Sequence, residues 1–141
     1  MSVYLDASFI VPLFANQEPL SRRAAVFLGD CLPELVISDF SGAEFASAIA
    51  RLTRMNALTT DQAEAIFADF DIWTRRATTN IETIGADIRA AAAYLRQLRL
   101  NLRAPDALNI AVAQRVGATL ATFDDRMAEN AVRLGVEVAA V

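Results

Sequence analysis

The sequence predicts an α/β domain in which a mostly parallel sheet of four to five short strands is flanked by helices. Short apolar, β-prone runs alternate along the chain with helical patterns of about ten residues or more. Of the 141 residues, 55% are hydrophobic, which is enough for one compact core. No repeat, low-complexity tract or linker interrupts this pattern, so we expect residues 1–141 to form a single domain.

The strands are predicted from short runs of β-branched and other apolar residues. The second run follows Pro33, and the first ends abruptly at a carboxylate. The predicted strands are Val3–Leu5, Leu35–Ile37, Ile81–Ile84 and Thr119–Phe123, with Val136–Val141 as a candidate fifth.

The helices are predicted from apolar residues at helical spacing and from residues that start or stop a helix. Thr59 to Gln62 matches a capping box, Pro105 suits a first helical turn, and Gly117 suits a helix end. The predicted helices, the first a short turn, cover residues 9–14, 21–28, 38–55, 60 onward, 87–100, 105–116 and 125–134.

The composition excludes several kinds of chemistry. The chain has no histidine and all 13 of its basic residues are arginine. It therefore lacks a Ser–His–Asp triad, a histidine-bound metal, a Schiff-base lysine and a Walker-type phosphate loop. Its single cysteine, Cys31, excludes an intrachain disulfide and any metal site built from several cysteines. Catalysis would have to use carboxylates, hydroxyls, amides and arginines.

We expect a cytoplasmic protein with no membrane segment. The apolar N-terminal stretch contains Asp6 and has no basic residue before it, so it does not resemble an export signal. No stretch approaches ~18 uninterrupted apolar residues.

Four acidic residues fall near the places where strands hand over to helices. Asp6 follows the first strand and Asp124 the fourth, Asp106 lies in the first turn of the Pro105 helix, and Glu44 lies one to two turns into the helix after the second strand. Each also suits a helix start, and Ser41 to Glu44 is itself a capping-box pattern. In adjacent parallel strands, however, this edge is shared, so the four carboxylates can converge.

Converging carboxylates would need a counter-charge. Two of them ~5 Å apart repel by about 3 kcal/mol at an effective dielectric of ~20. With no lysine or histidine in the chain, the natural partner is a divalent cation, and carboxylate oxygens suit Mg²⁺ or Mn²⁺. Such a site can activate water and stabilise charge on a phosphodiester, so the residues favour metal-dependent phosphoryl chemistry.

The segments that carry these acids resemble the PIN-domain family of nucleases, most closely the VapC-type toxins of bacterial toxin–antitoxin pairs. They occur in the family's order across nearly the whole chain. The matching segments are Val3-Tyr4-Leu5-Asp6-Ala7-Ser8, Ser41-Gly42-Ala43-Glu44-Phe45, Leu102-Arg103-Ala104-Pro105-Asp106-Ala107-Leu108 and Leu120-Ala121-Thr122-Phe123-Asp124.

The resemblance implies an Mg²⁺- or Mn²⁺-dependent endoribonuclease with a PIN-like fold. Asp6 and Asp106 would bind the metal most directly, while Glu44 and Asp124 would hold waters or a second ion. Ser8 and Thr122 match positions whose hydroxyls support the site by hydrogen bonding. Asn109 departs from the family, in which histidine is common at this position, and we interpret it as peripheral. Asp125 is interpreted as an ordinary first-turn acid.

Three arginines are candidates for RNA contacts. Arg96, Arg99 and Arg103 are spaced three and four apart, so a continuous helix would place them on one face. Their guanidinium groups match phosphate geometry, although solvated helix faces and ion pairs explain such arginines equally well.

The expected partners are an RNA substrate, a cognate antitoxin protein that covers the acids with an arginine of its own, and a second copy of the chain. The apolar residues Phe67, Phe70, Ile72 and Trp73 fit a thick core, a dimer face or a groove for a partner helix.

Two other classes of α/β protein are alternatives to a nuclease. A phosphatase with an aspartyl nucleophile wants a second acid two residues after the first, where Ser8 stands, and a catalytic lysine. A non-catalytic receiver-type module also pairs its strand-end acids with a lysine, which the chain lacks.

Overall fold

The sheet is entirely parallel. The computed structural model describes residues 1–30 and 34–141, and its strands are β1 Ser2–Leu5, β2 Glu34–Ser38, β3 Thr78–Ile81 and β4 Thr119–Ala121. They lie in the order β3-β2-β1-β4, with every neighbouring pair parallel. β2 and β3 follow one another on one side of β1, and β4 pairs with β1 on its other side. The topological switch point, where ligands of such sheets bind, therefore lies at the carboxyl ends of β1 and β4.

Helices connect the strands and cover both faces of the sheet. They are α1 Ala7–Phe14, α2 Leu20–Asp30, α3 Asp39–Arg54, α4 Thr60–Ala77, α5 Gly85–Leu95, α6 Ala104–Val116 and α7 Asp125–Arg133. The capping box at Thr59 and Gln62, Pro105 in the first turn of α6, and Gly117 in the left-handed conformation at its end are all present as predicted. Cys31 and Pro33 lie outside the described residues.

The core has two parts because the side chains of a strand alternate between the faces of the sheet. Val3 and Leu5 of β1 pack in the apolar cluster under α1 and α3, together with Phe45. Tyr4 points the other way, into a cluster built largely from α6. All of these β1 side chains are fully buried. The strand that positions the first acid is thus fixed from both sides.

Two predicted boundaries in the middle of the chain are wrong. The third strand covers 78–81 rather than 81–84, because α4 leads directly into it at Thr78. The residues after Ile81 are drawn away from the sheet by carboxylates: Asp39 accepts hydrogen bonds from Thr83, and Asp87 accepts one from the Ile84 N–H.

The predicted helix 87–100 ends early, at Leu95. Arg96 caps α5, and the Leu100 N–H then bonds to the Gln97 carbonyl in a separate turn. Leu98, whose spacing favours a longer helix, is 92% exposed. Without burial of that leucine, nothing extends the helix.

The candidate fifth strand is reduced to a single bridge. Val138 pairs in parallel with Leu120 of β4, through hydrogen bonds from the Leu120 N–H to the Glu137 carbonyl and from the Ala139 N–H to the Leu120 carbonyl. In the described part of the chain the sheet therefore has four strands, the lower end of the predicted range.

The aromatic residues of α4 belong mainly to the core. Phe70 stacks on Phe45 with ring centroids 4.2 Å apart, and Phe67 and Trp73 make edge contacts with their aromatic neighbours. Ile72 is the exception and remains 43% exposed. Within the described ranges, no helix combines the length and apolarity needed to cross a membrane.

Candidate functional site

The pairing of β1 with β4 brings two of the predicted acids to one edge of the sheet. Leu5 and Ala121 are partners in the register, and the Asp6 N–H continues the ladder to the Ala121 carbonyl at 3.4 Å. Asp6 and Asp124 therefore leave adjacent parallel strands in the same direction. This is the crevice that the order of the strands marks as a binding position.

Asp6 is both a helix cap and a buried carboxylate. Its Oδ1 accepts hydrogen bonds from the Phe9 N–H at 3.2 Å and from Ser8 Oγ at 2.8 Å. The side chain is only 5% exposed, and burial raises its pKa to about 7 although those hydrogen bonds oppose the shift. A cap does not require such burial, because capping residues work equally well at the surface.

Ser8 and Thr122 support this carboxylate through a directed chain of hydrogen bonds. Ser8 donates its hydroxyl proton to Asp6, so the 3.0 Å contact between Ser8 Oγ and Thr122 Oγ1 must be donated by Thr122. Backbone N–H groups of Phe123 and Asp124 donate to the same two oxygens. The hydroxyls thus connect β4 to Asp6, where the sequence predicted a supporting role.

Glu44 is free to face the site because another residue caps its helix. The capping box at the start of α3 joins Ser38 and Ser41, each accepting from the backbone N–H of the other at 3.0 Å. The alternative box between Ser41 and Glu44 is therefore wrong. The half-buried Glu44 instead accepts a hydrogen bond from Asn109 Nδ2 at 2.7 Å.

Asn109 lies inside the site, so its interpretation as peripheral is wrong. It is 2% exposed, and while Nδ2 holds Glu44, its Oδ1 accepts a 2.7 Å hydrogen bond from the Tyr4 hydroxyl. The Tyr4 oxygen also lies 2.7 Å from Ser38 Oγ. Burial raises the pKa of Tyr4 far above its usual range, so the hydroxyl keeps the proton that it donates. This buried relay from β1 orients the amide and, through it, Glu44.

Asp106 carries an oxygen atom that lacks a partner. It lies in the first turn of α6, is 7% exposed, and its buried Oδ2 accepts no hydrogen bond. Arg103 Nε is 3.6 Å from that atom, on a side chain that is 65% exposed. Burial raises the pKa of Asp106, the charge of Asp124 raises it further, and Arg103 opposes the shift.

Three of the acids, from different elements, lie close enough to raise one another's pKa. The charge of Asp124, at the start of α7, raises the pKa of Asp106. Burial raises the pKa of Glu44 on α3, and the charge of Asp106 raises it further. Asp124 caps α7 by accepting the Met127 N–H at 3.0 Å, while Asp125 lies exposed in the first turn, as predicted. Asp106 is thus a neighbour of both Glu44 and Asp124, while Asp6 is linked to the backbone of Asp124 through Ser8 and Thr122.

The arrangement fits a divalent cation in chemistry, although it is not a finished cage. In the described part of the chain, no group of three or more acidic side chains could hold an ion without moving, since most of them are engaged with local donors. The buried Oδ2 of Asp106 nevertheless accepts no hydrogen bond, and its counter-charge is the mostly exposed Arg103 guanidinium 3.6 Å away, so a bound cation would stabilise it further. Carboxylate oxygens are the donors that Mg²⁺ and Mn²⁺ prefer.

The three candidate arginines do not share a helix face. Because α5 ends at Leu95, Arg96 is its cap, Arg99 lies in the following turn with Nη2 bonded to Gln97, and Arg103 caps α6. Only Arg103 of these three approaches an acid of the quartet. The prediction of one continuous basic stripe is wrong.

A large concave surface lies at the opposite end of the sheet. It encloses about 1010 Å³ between the amino ends of β1 and β4, α2 and the C-terminal residues, and it is mainly apolar. None of the four acids lines it. Size alone would therefore point away from the charged crevice.

Comparison with known proteins agrees with the fold. A sequence model of the PIN domain matches residues 3–133. The chain belongs to the PIN-domain family. Its relatives include Ribonuclease VapC46 of Mycobacterium tuberculosis, which is 34% identical over 142 residues and is matched over 99% of this chain and 97% of the relative.

Solved structures share this PIN fold at lower identity. The sarcin–ricin loop cleaving toxin VapC20 of M. tuberculosis superposes with a TM-score of 0.76 at 18% identity, over 99% of both chains. FitAcB of Neisseria gonorrhoeae gives 0.70 at 19% identity, over 98% of this chain and 96% of the other. VapBC2 of Rickettsia felis, bound to a promoter DNA fragment, gives 0.70 at 15% identity, over 99% and 98%. Because the chain belongs to the PIN family, the phosphatase and receiver alternatives are not supported.

Sequence reasoning missed the relay of Tyr4 and Ser38 behind Asn109. The signal available was that Asn109 lies three residues after Asp106, hence on the same side of α6. No comparable signal pointed to Tyr4, because a tyrosine in an apolar strand is ordinary core.

Proposed function

We propose that this PIN domain is a divalent-metal-dependent endoribonuclease, the toxin of a toxin–antitoxin pair, that hydrolyses phosphodiester bonds of RNA. The observation that carries the proposal is the buried Oδ2 of Asp106, which accepts no hydrogen bond although the carboxylates of Glu44 and Asp124 are its neighbours. The full-length relationship to a VapC ribonuclease supports the same activity.

Mg²⁺ or Mn²⁺ is the proposed cofactor. Asp6 and Asp106 are the proposed direct ligands, since both are at least nine-tenths buried, and Glu44 and Asp124 are proposed to hold waters or a second ion. When bound, such a cation lowers the pKa of water and neutralises charge that develops on a phosphodiester.

The chain's own residues have distinct parts in this proposal. The hydroxyls of Thr122 and Ser8 hold Asp6 in its orientation, and Asn109 holds Glu44. The exposed guanidinium of Arg103 stands beside Asp106, where it can bind a phosphate of the RNA. Arg96 and Arg99 are proposed as more distant RNA contacts only, because both are exposed on the turn before α6.

The proposed partners are the RNA substrate, a cognate antitoxin and a second copy of this chain. Related folds occur in toxin–antitoxin complexes from Klebsiella pneumoniae and Haemophilus influenzae, which supports an antitoxin here. A protein antitoxin and an RNA substrate also agree with the cytoplasmic location expected from the sequence.

The test compares two adjacent acids. Asp124→Asn keeps the helix cap, since asparagine caps as well as aspartate, but removes a charge from the crevice. We expect RNA cleavage to fall by roughly 100-fold or more, whereas Asp125→Asn, which changes an exposed neighbour, leaves the rate within about twofold. Chelation with EDTA should abolish cleavage by the parent, and Mg²⁺ or Mn²⁺ should restore it.

Equal loss of activity in both variants would mean that charge near α7, rather than the crevice, supports cleavage. Cleavage that continues in EDTA would contradict the metal, and cleavage by Asp124→Asn at the parental rate would contradict the assignment of the site.

A further inference from the structure

A second recess opens directly beside the carboxylate crevice. It encloses about 410 Å³ between α1, α2 and α3, which lies within the roughly 300–1,000 Å³ of small-molecule pockets. Ser8 and Asp124, both part of the proposed site, form one wall. The recess is therefore continuous with the place where a scissile phosphate would bind.

The lining of the recess is mainly apolar. Val11, Leu20, Ala48 and Phe123 line it. Ala48 lies one turn after Glu44 on α3, so a single helix face presents the acid to the crevice and a methyl group to the recess. A larger residue at position 48 would fill the space, and alanine keeps it open.

One polar side chain faces this apolar space. Gln17 lines the recess and is half-buried. Its backbone N–H and carbonyl are both used, by Ser21, but its side-chain amide bonds to none of the described residues. An amide offers a donor and an acceptor side by side, which is the pattern that the edge of a nucleobase requires.

We propose that this recess binds one nucleobase of a single-stranded RNA, next to the bond that is cut. The inference rests on the proposed ribonuclease function and names the base-reading part of the same site. An unstacked base needs apolar walls for its faces and a polar group for its edge, and RNA-binding proteins read single strands in this way. Gln17 is then the residue that determines base preference.

Phe123, in the wall of the recess, is held in place by two neighbours. The Arg23 guanidinium lies 5.0 Å from the centre of its ring, while Arg23 itself lines the concave surface at the opposite end of the sheet. Phe123 itself is fixed from the other side by stacking on Phe9.

The experiment fills the recess by a substitution in the protein and, separately, removes single bases from the RNA. Ala48→Leu occupies the space without changing an acid, and Ala46→Leu is its control on an exposed position of the same helix. Affinity is measured in EDTA, which prevents cleavage, by fluorescence anisotropy with a set of single-stranded RNAs. Each of these RNAs carries one abasic ribose at a different position.

For the parent and Ala46→Leu, we expect one abasic position to weaken binding by roughly tenfold, the size of one lost base contact. For Ala48→Leu, intact and abasic RNA should bind equally, at the weakened level. In Mg²⁺, Ala48→Leu should raise KM for RNA while hydrolysis of bis(p-nitrophenyl) phosphate, which has no base, stays within about twofold. Gln17→Leu should flatten the preference among the four bases at the sensitive position.

Several results would overturn the inference. An abasic position that costs Ala48→Leu as much as the parent would place the base elsewhere, and affinity of Ala48→Leu equal to the parent's would show that the recess takes another occupant. Loss of bis(p-nitrophenyl) phosphate hydrolysis by Ala48→Leu would mean that the substitution disturbs the acids. A parent that cleaves no RNA with any divalent cation, yet still distinguishes abasic RNA, would overturn the proposed function and leave this inference standing.

Discussion

Replacing Asp6 by asparagine should stabilise the metal-free protein while it abolishes activity. Burial raises the pKa of Asp6 from 3.8 to about 7. A shift of about three units corresponds to about 4 kcal/mol of penalty when the carboxylate is charged. The asparagine amide introduces a donor with no assigned partner, so we expect a net gain of about 2–3 kcal/mol at pH 8.

The direction of the pH dependence follows from the raised pKa. Because the folded state holds this proton more tightly than the unfolded state, the penalty is absent below the unfolded pKa of about 4 and grows as the pH rises to the folded value. Between about pH 5.5 and 8.5 the stability difference between the variant and the parent should therefore widen by about 2 kcal/mol. Above the folded pKa it should level off.

The assay is thermal unfolding in EDTA, followed by circular dichroism. A gain of 2–3 kcal/mol in a domain of this size raises Tm by roughly 6–10 °C. Asp125→Asn is the control, because it removes the same charge from an exposed side chain and should show no pH-dependent gain. Added Mn²⁺ should stabilise the parent more than Asp6→Asn. If Asp6→Asn had a Tm at or below that of the parent at pH 8, or if the difference in Tm did not change with pH, the predicted penalty of the charged Asp6 would be wrong.

Three further outcomes are expected. Tyr4→Phe removes a buried hydroxyl with two partners and should cost about 1–3 kcal/mol in urea unfolding, whereas Tyr94→Phe, which alters a hydroxyl in an exposed hydrogen bond, should cost less than about 1 kcal/mol; equal costs would contradict the relay. Arg115→Ala leaves the buried Asp87 carboxylate unpaired and should cost about 2–4 kcal/mol. Although burial works against it, the Arg115 guanidinium holds the pKa of Asp87 below its usual value. The parent should therefore lose this stability as the pH falls below about 4. If Arg115→Ala lost the same stability over that pH range, the pairing would be contradicted. Arg103→Ala should weaken RNA binding and lower the salt slope by about one, and an unchanged slope would exclude a phosphate contact.

The position of the acids could be predicted because it follows from topology alone. Once β1 and β4 are adjacent and parallel, the residues that follow them lie at one edge of the sheet, which places Asp6 and Asp124 at the same edge. The fold class depends on the same alternation of strands and helices and was equally accessible.

The relay behind Glu44 could not be predicted because it depends on three-dimensional packing. Tyr4 and Asn109 are 105 residues apart in sequence, and their hydrogen bond forms only because α6 packs on the face of the sheet that Tyr4 enters. Both residues also have ordinary structural interpretations when taken singly.

The wrong boundaries have a common cause, which is that tertiary contacts decide where an element ends. Asp39 and Asp87 end β3 by binding backbone groups of the next segment. The exposure of Leu98 removes the reason for α5 to continue. Periodicity cannot reveal either effect, because it does not show which leucine finds a core.

The central claim is that the four carboxylates around this crevice hold a divalent cation, and a crystal soaked in Mn²⁺ tests it most directly. The anomalous difference map should show a peak in contact with the carboxylates of Asp6 and Asp106, and the peak should be lost in crystals of Asp6→Asn. A map without a peak at full occupancy of the soak, or with a peak that touches none of the four acids, would contradict the claim.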